Sequence, residues 1–207
     1  MNSRTIAFVI VMITNTVIAQ PSSKTSRNFG QPILIDSAST LLIPTIYNAS
    51  LFTSDKLALW GNFYSNIVFY NFKTDVIKRL FTKDTYIVSL DKTEYRYGAE
   101  TRTDKSYTKL WIFYKVLNVD RNRNDKIDDE DPTVLYVSDT HGDNLKALTS
   151  EEENVKSFQL YEKQNMALVQ MQRDMNKDGR FTDKDTDFYY IKLDLTTLAL
   201  GSKIELK

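Results

Sequence analysis

Cysteine is missing from this chain, histidine occurs once, and glycine and proline number only six and four in 207 residues. Without a thiol there is no disulfide framework, no thiolate metal site, no Cys nucleophile and no Cys for a lipid anchor. The lone His141 excludes a site built on several imidazoles and leaves a histidine-based triad a single centre. An excess of either charge is missing too. Lys plus Arg and Asp plus Glu stand at 27 each, so no net field draws the chain to nucleic acid or to an anionic membrane. No phosphate loop, dinucleotide fingerprint or G-x-S-x-G elbow occurs. The longest apolar run, Ile6 to Ile13, is too short to span a bilayer.

That run follows a short polar start carrying Arg4 and precedes Val17, Ile18 and Ala19. A basic start, an apolar core of this length and small or aliphatic residues at the −3 and −1 positions are expected of a secretory signal. Cleavage is expected after Ala19, which makes 1–19 the signal and places the mature chain in the periplasm or outside the cell, with no membrane span. Residues 20–32, polar and rich in Ser and Lys, are expected to form a disordered leader. The remaining 33–207 are expected to be one repeat domain, enough chain to bury roughly 70% of its unfolded surface without covalent staples.

In that domain Val, Ile, Tyr, Phe and Thr come in short runs punctuated by Asn, Asp, Gly and Lys, which predicts strands and turns rather than helices. The clearest strands fall at 56–60, 66–72, 109–114, 134–137, 166–171 and 188–193. They recur as an internal repeat. Leu57, Leu110 and Ala167 open equivalent strands. Each second strand ends in a polar turn, at 73–75, 139–144 and 194–197, and a third strand follows near Val76, Leu145 and Leu198. The predicted fold is all-β, with propeller-like antiparallel blades in three clear repeats and a partial fourth at 33–47. The competing reading of the same spacing is a plain antiparallel meander.

Two of the connections share an acidic pattern. DRNRNDKIDDED at 120–131 and DMNKDGRFTDKD at 174–185 begin 54 residues apart, in step with the strands. Each has the oxygen-ligand spacing of a calcium loop at positions 1, 3, 5, 7, 9 and 12. A hard cation of this size takes six to eight oxygens at about 2.3–2.6 Å, which alternate residues of a tightly wound loop can supply. In the second loop the candidate ligands are Asp174, Asn176, Asp178, the Arg180 carbonyl, Thr182 and Asp185. Gly179 stands at position 6, where the chain must turn with positive φ, and Phe181 at position 8 anchors the loop. In the first loop the candidates are Asp120, Asn122, Asn124, the Lys126 carbonyl, Asp128 and Asp131, with Ile127 as anchor. Position 6 is Asp125 there, a costlier residue for the left-handed region, so weaker binding is expected. Calcium is the expected ion, since magnesium demands a smaller octahedral cage.

The run LYVSDTHGDNLKALT at 135–149 resembles the blade signature of TolB-like propellers: strand, Ser-Asp, a Gly-containing turn, Asn, then Leu-Thr. The acidic loops look like those of EF-hands and dockerins, closed by Asp at position 12. They differ in their flanks, which are strand-forming where those families have helices. The combination is similar to exported bacterial propeller-type proteins carrying EF-hand-like loops. The resemblance implies a calcium-binding, non-catalytic binding or scaffolding module, with an envelope protein or a glycan as partner. Two alternatives stand beside it: a secreted hydrolase acting on glycans through paired acids, and a structural subunit of a cell-envelope assembly. His141 reads as a turn residue. Asn48-Ala-Ser50 fits a glycosylation acceptor, and the aromatics around 60–64 read as packing between blades or a ligand platform.

Overall fold

The computed structural model describes residues 27–35, 38–47, 63–90, 93–96, 99–102 and 110–206. The architecture is all-β and antiparallel. Period-two alternation drives it: along Phe188–Asp194, Tyr189, Ile191 and Leu193 are buried while Phe188, Tyr190 and Lys192 face outward, as a pleated strand requires.

Fifteen strands are seen among the described residues, most of them in three successive up-and-down meanders. In the first, β2 (Ile33–Ile35), β3 (Thr40–Tyr47), β4 (Tyr64–Asn71) and β5 (Val76–Arg79) pair in chain order, and β1 (Arg27–Phe29) also pairs with β3. In the second, β6 (Tyr86–Leu90), β9 (Trp111–Leu117), β10 (Val134–Asp139) and β11 (Lys146–Ala147) pair in that order. The hairpin of β7 (Thr93–Arg96) and β8 (Ala99–Arg102) extends from β6. In the third, β12 (Glu153–Tyr161), β13 (Met166–Arg173), β14 (Phe188–Asp194) and β15 (Leu200–Glu205) form a separate sheet. A bridge between Tyr64 and Ile87 joins the first two meanders into one eleven-stranded sheet.

The three meanders turn the same corner in the same way. The residue closing the third strand accepts backbone N–H groups on its side-chain Oδ1: Asn71 from Lys73 and Thr74, Asp139 from His141 and Asp143, Asp194 from Thr196 and Thr197. Each turn then closes through a left-handed residue, Asp75, Asn144 or Leu198 (φ 55°, 58° and 57°). A short side chain folding onto its own backbone stabilises such turns.

Among the described residues two apolar clusters make the core, one on each face of the second meander. Ile112, Tyr114 and Val116 face Leu42, Ile67 and Phe69 of the first. Phe113, Leu135 and Val137 face Val169, Ile191 and Leu193 of the third. The second meander is therefore packed on both sides.

Several expectations change. The six predicted strands include 56–60, which lies outside the described residues, as does Leu57; the other five coincide with β4, β9, β10, β13 and β14. Residues 33–47 are no partial fourth repeat, since they supply β2 and β3 of the first meander. Arg27–Phe29, within the stretch expected to be a leader, forms β1. β6 and β12 were not anticipated; a bulge between Val155 and Ser157 breaks the alternation of β12. Residues 48–50 lie outside the description, and Tyr64 is core. Among the described residues no closed barrel or ring forms, and no helix is long and apolar enough to cross a membrane.

Candidate functional site

Residues 120–131 connect β9 to β10 and residues 174–185 connect β13 to β14, the same place in two successive meanders. Their backbones follow one path. Positions 4 and 6 are left-handed in both: Arg123 and Asp125 at φ 58° and 63°, Lys177 and Gly179 at 60° and 78°. Position 6 matches the sequence expectation; position 4 carried no residue-type signal.

The hydrogen bonds repeat as well. The position-3 side chain accepts the position-5 N–H: Asn122 from Asn124 at 3.0 Å and Asn176 from Asp178 at 3.2 Å. Position 5 accepts from position 7, Asn124 from Lys126 and Asp178 from Arg180, both at 2.9 Å. The closing carboxylate ties both ends of the loop. Asp131 accepts the N–H groups of Arg121 (2.8 Å) and Asp128 (3.0 Å), and Asp185 those of Met175 (3.1 Å) and Thr182 (2.9 Å). Both closing carboxylates are buried, each 2% exposed. Position 1 reaches across, Asp120 to the N–H of Asn124 and Asp174 to that of Gly179.

Burial pushes the Asp131 carboxyl above its ordinary value; the N–H bonds from Asp128, Arg121 and Asn122 oppose this, and the Asp128 charge adds to the rise. At Asp185 burial pushes the same way, but the N–H groups of Thr182 and Met175 and the Thr182 hydroxyl outweigh it and hold the carboxyl low. The second loop thus keeps its closing anion more readily than the first.

The oxygens do not form a group of acids. Among the described residues no three Asp, Glu or His side chains converge on one point. The acids are instead spread around each loop and bound to N–H groups, alternating with Asn oxygens and backbone. Two buried side-chain atoms in these loops lack a partner among the described residues, Asn122 Nδ2 and Asp174 Oδ1. An unpaired buried carboxylate oxygen costs several kcal/mol in principle, and a cation beside it removes that cost. The donor set of carboxylate, amide and carbonyl oxygens suits a hard divalent ion. The loop residues therefore fit calcium in their donor chemistry.

The loops also touch, which their spacing in sequence did not reveal. The Phe181 N–H donates to the Glu130 carbonyl at 2.7 Å, and Arg180 stands 3.6 Å from the Glu130 carboxylate. A Cβ on Gly179 would lie 3.0 Å from the Arg121 carbonyl oxygen. Phe181 is buried, 4% exposed, as the anchor position demands, while Ile127 is half-buried.

Behind the loops runs a buried amide chain that the sequence analysis missed. Gln172 Nε2 donates to the carbonyls of Thr182 and Asp185, each at 2.9 Å, and Gln172 Oε1 accepts from Asn154 Nδ2 at 2.8 Å. Asn154 Oδ1 in turn accepts the N–H and the hydroxyl of Thr133, both at 2.9 Å. Polar residues at inward strand positions were the available signal. His141 lies exposed in the turn after β10.

No protein-family model matches this chain, and no curated protein matches it. The chemistry of the two loops therefore carries the functional reading.

Proposed function

We propose that this is an exported calcium-binding scaffold, in which two loops between β-strands each hold one ion and so stiffen one end of the sheet stack. Asp120, Asn122, Asn124, Lys126, Asp128 and Asp131 serve the first ion, and Asp174, Asn176, Asp178, Arg180, Thr182 and Asp185 the second. The observation that carries the reading is the hydrogen-bond frame that the two loops share at positions 3, 5 and 12, together with the buried, unpartnered Asp174 Oδ1. Each meander is taken as one blade of a TolB-like array, a reading that rests on the run at 135–149 and on the shared turns. The module works without catalysis, presenting its loop face to an envelope protein or a glycan.

The metal's part is structural. Ordering a dozen loop residues costs conformational entropy, which the ion's contacts offset. At millimolar calcium and a dissociation constant of about 10⁻⁴ M, typical of extracellular modules, binding stabilises the fold by roughly 1.4 kcal/mol per site. Titration calorimetry should resolve two sites, the second loop the tighter. The double change Asp174→Ala and Asp178→Ala should remove that tighter site and leave the other; unaltered heats in this variant would overturn the ligand assignment.

A further inference from the structure

The three meanders follow one rule about which face meets which neighbour. Counted back from the turn residues Asn71, Asp139 and Asp194, the second and fourth residues before each are Phe69 and Ile67, Val137 and Leu135, Lys192 and Tyr190. In the first two meanders these positions pack onto the next meander. In the third they face outward, Lys192 exposed and Tyr190 41% exposed, as is Phe188 two residues further back at 38%. The intervening positions obey the opposite rule. Tyr136 packs back onto the first meander and Ile191 and Leu193 onto the second, while their counterparts Val68 and Tyr70 in the first meet no preceding meander among the described residues.

That leaves two open faces of opposite sense. On the first meander Leu34, Leu41, Tyr70 and Ile77 stand in register across all four strands, with Leu34 48% and Ile77 70% exposed. Ile43 and Val68 form the adjoining pair. A four-strand apolar row is unusual on a solvated sheet face, where polar residues normally alternate outward. On the third meander Tyr190 pairs with Ile204, 55% exposed, and Lys192 takes the place held by Phe69 and Val137. A lysine there covers apolar surface with its stem while its ammonium stays wet.

We infer that two copies of this chain associate head to tail, the outward face of the first meander in one copy packing on the outward face of the third in the other. The contact continues the face-to-face packing already present twice within the chain, with the same strand positions meeting. A heterologous contact of this kind forms a ring when its rotation closes. Two copies supply six meanders, within the roughly four to eight that close a propeller. The inference stands on sheet packing and not on the metal, so calcium binding could fail while it holds.

Sedimentation of the purified full chain, in chelator and in calcium, tests it. A species of twice the monomer mass is expected in at least one condition. Leu34→Glu with Ile77→Glu, and separately Tyr190→Glu with Ile204→Glu, should each raise the dissociation constant by about tenfold or more, since each buries unpaired charge. These are exposed positions, and the circular dichroism spectrum checks that each variant folds; Ile77→Ser and Ile204→Ser give the milder pair if one does not. Mixing the two double variants should restore 1:1 pairing through the interface left intact. A monomer at every concentration and in both conditions overturns the inference. So does a dimer insensitive to both variants, which would pair through a sheet edge, or a second variant that dimerises while the first does not, which would make the contact a first-face self-pairing.

Discussion

At the scale of single residues, glycine matters most at position 179. Its φ of 78° lies where L side chains are strained, and a Cβ would meet the Arg121 carbonyl of the other loop at 3.0 Å. The equivalent Asp125 shows that the conformation alone is tolerated by a short polar residue. Asp125 is exposed, whereas Gly179 is held against the first loop. Gly179→Ala should therefore destabilise the fold by about 1–3 kcal/mol and weaken the second calcium site while sparing the first, as denaturant unfolding and calorimetry would record. Loss of no more than a few tenths of a kcal/mol would mean that the loops do not press together as described. The need for glycine was legible in the sequence; the contact that makes it strict was not.

At the scale of elements, the strands hold the loops through polar residues inside the sheets. Gln172 is 1% exposed and spans from β13 to the two carbonyls that end the second loop, and Asn154 on β12 passes the contact to Thr133, two residues after the first loop closes. Such a network stabilises only while every member is satisfied. Gln172→Leu leaves the Asp185 carbonyl and Asn154 Nδ2 without the partner they have here and the Thr182 carbonyl with the Asp185 N–H alone, so a loss of about 2–4 kcal/mol is expected in urea unfolding. Hydrogen exchange should also quicken at residues 121–131, across the relay, and a change confined to 174–185 would refute the link between loops. Arg173, on the same strand, gathers Glu153, Asp187 and Glu205, and its guanidinium lies 4.3 Å from the centre of the Tyr189 ring. Standing just before the second loop, it ties that end of the loop to β12, β14 and β15 and to Asp187 just beyond the loop.

At the scale of the whole molecule, stability depends on how the sheets meet. Between the second and third meanders lies a cavity of about 300 Å³ lined in part by Phe63, Leu117, Val155 and Asp131, with Lys115 reaching across to the Lys156 carbonyl at 2.8 Å. Burial first, and the Lys156 charge second, push the Lys115 ammonium down to about 8. The unfolded chain then binds more protons than the folded one between that value and its ordinary 10.5, so this group's penalty is full below pH 8 and fades as the pH rises. Lys115→Met should raise stability at pH 7 and narrow its advantage by pH 10 in paired urea melts. An advantage constant across that range would show that Lys115 titrates as an ordinary surface lysine.

The sequence alone determined the strand-and-turn character, the two acidic loops and the position-6 turn, because alternation, Asx chemistry and ligand spacing act over a few neighbouring residues. It also revealed the shared turns at 139–144 and 194–197, whose first side chains bond their own backbone. Only the tertiary structure decided that β6 and β12 complete the meanders, that 33–47 belongs to the first, that the loops touch, and that Gln172 and Asn154 tie them together. Those facts depend on pairing between residues tens of positions apart, where a bulge or an inward amide leaves no periodic mark on the chain.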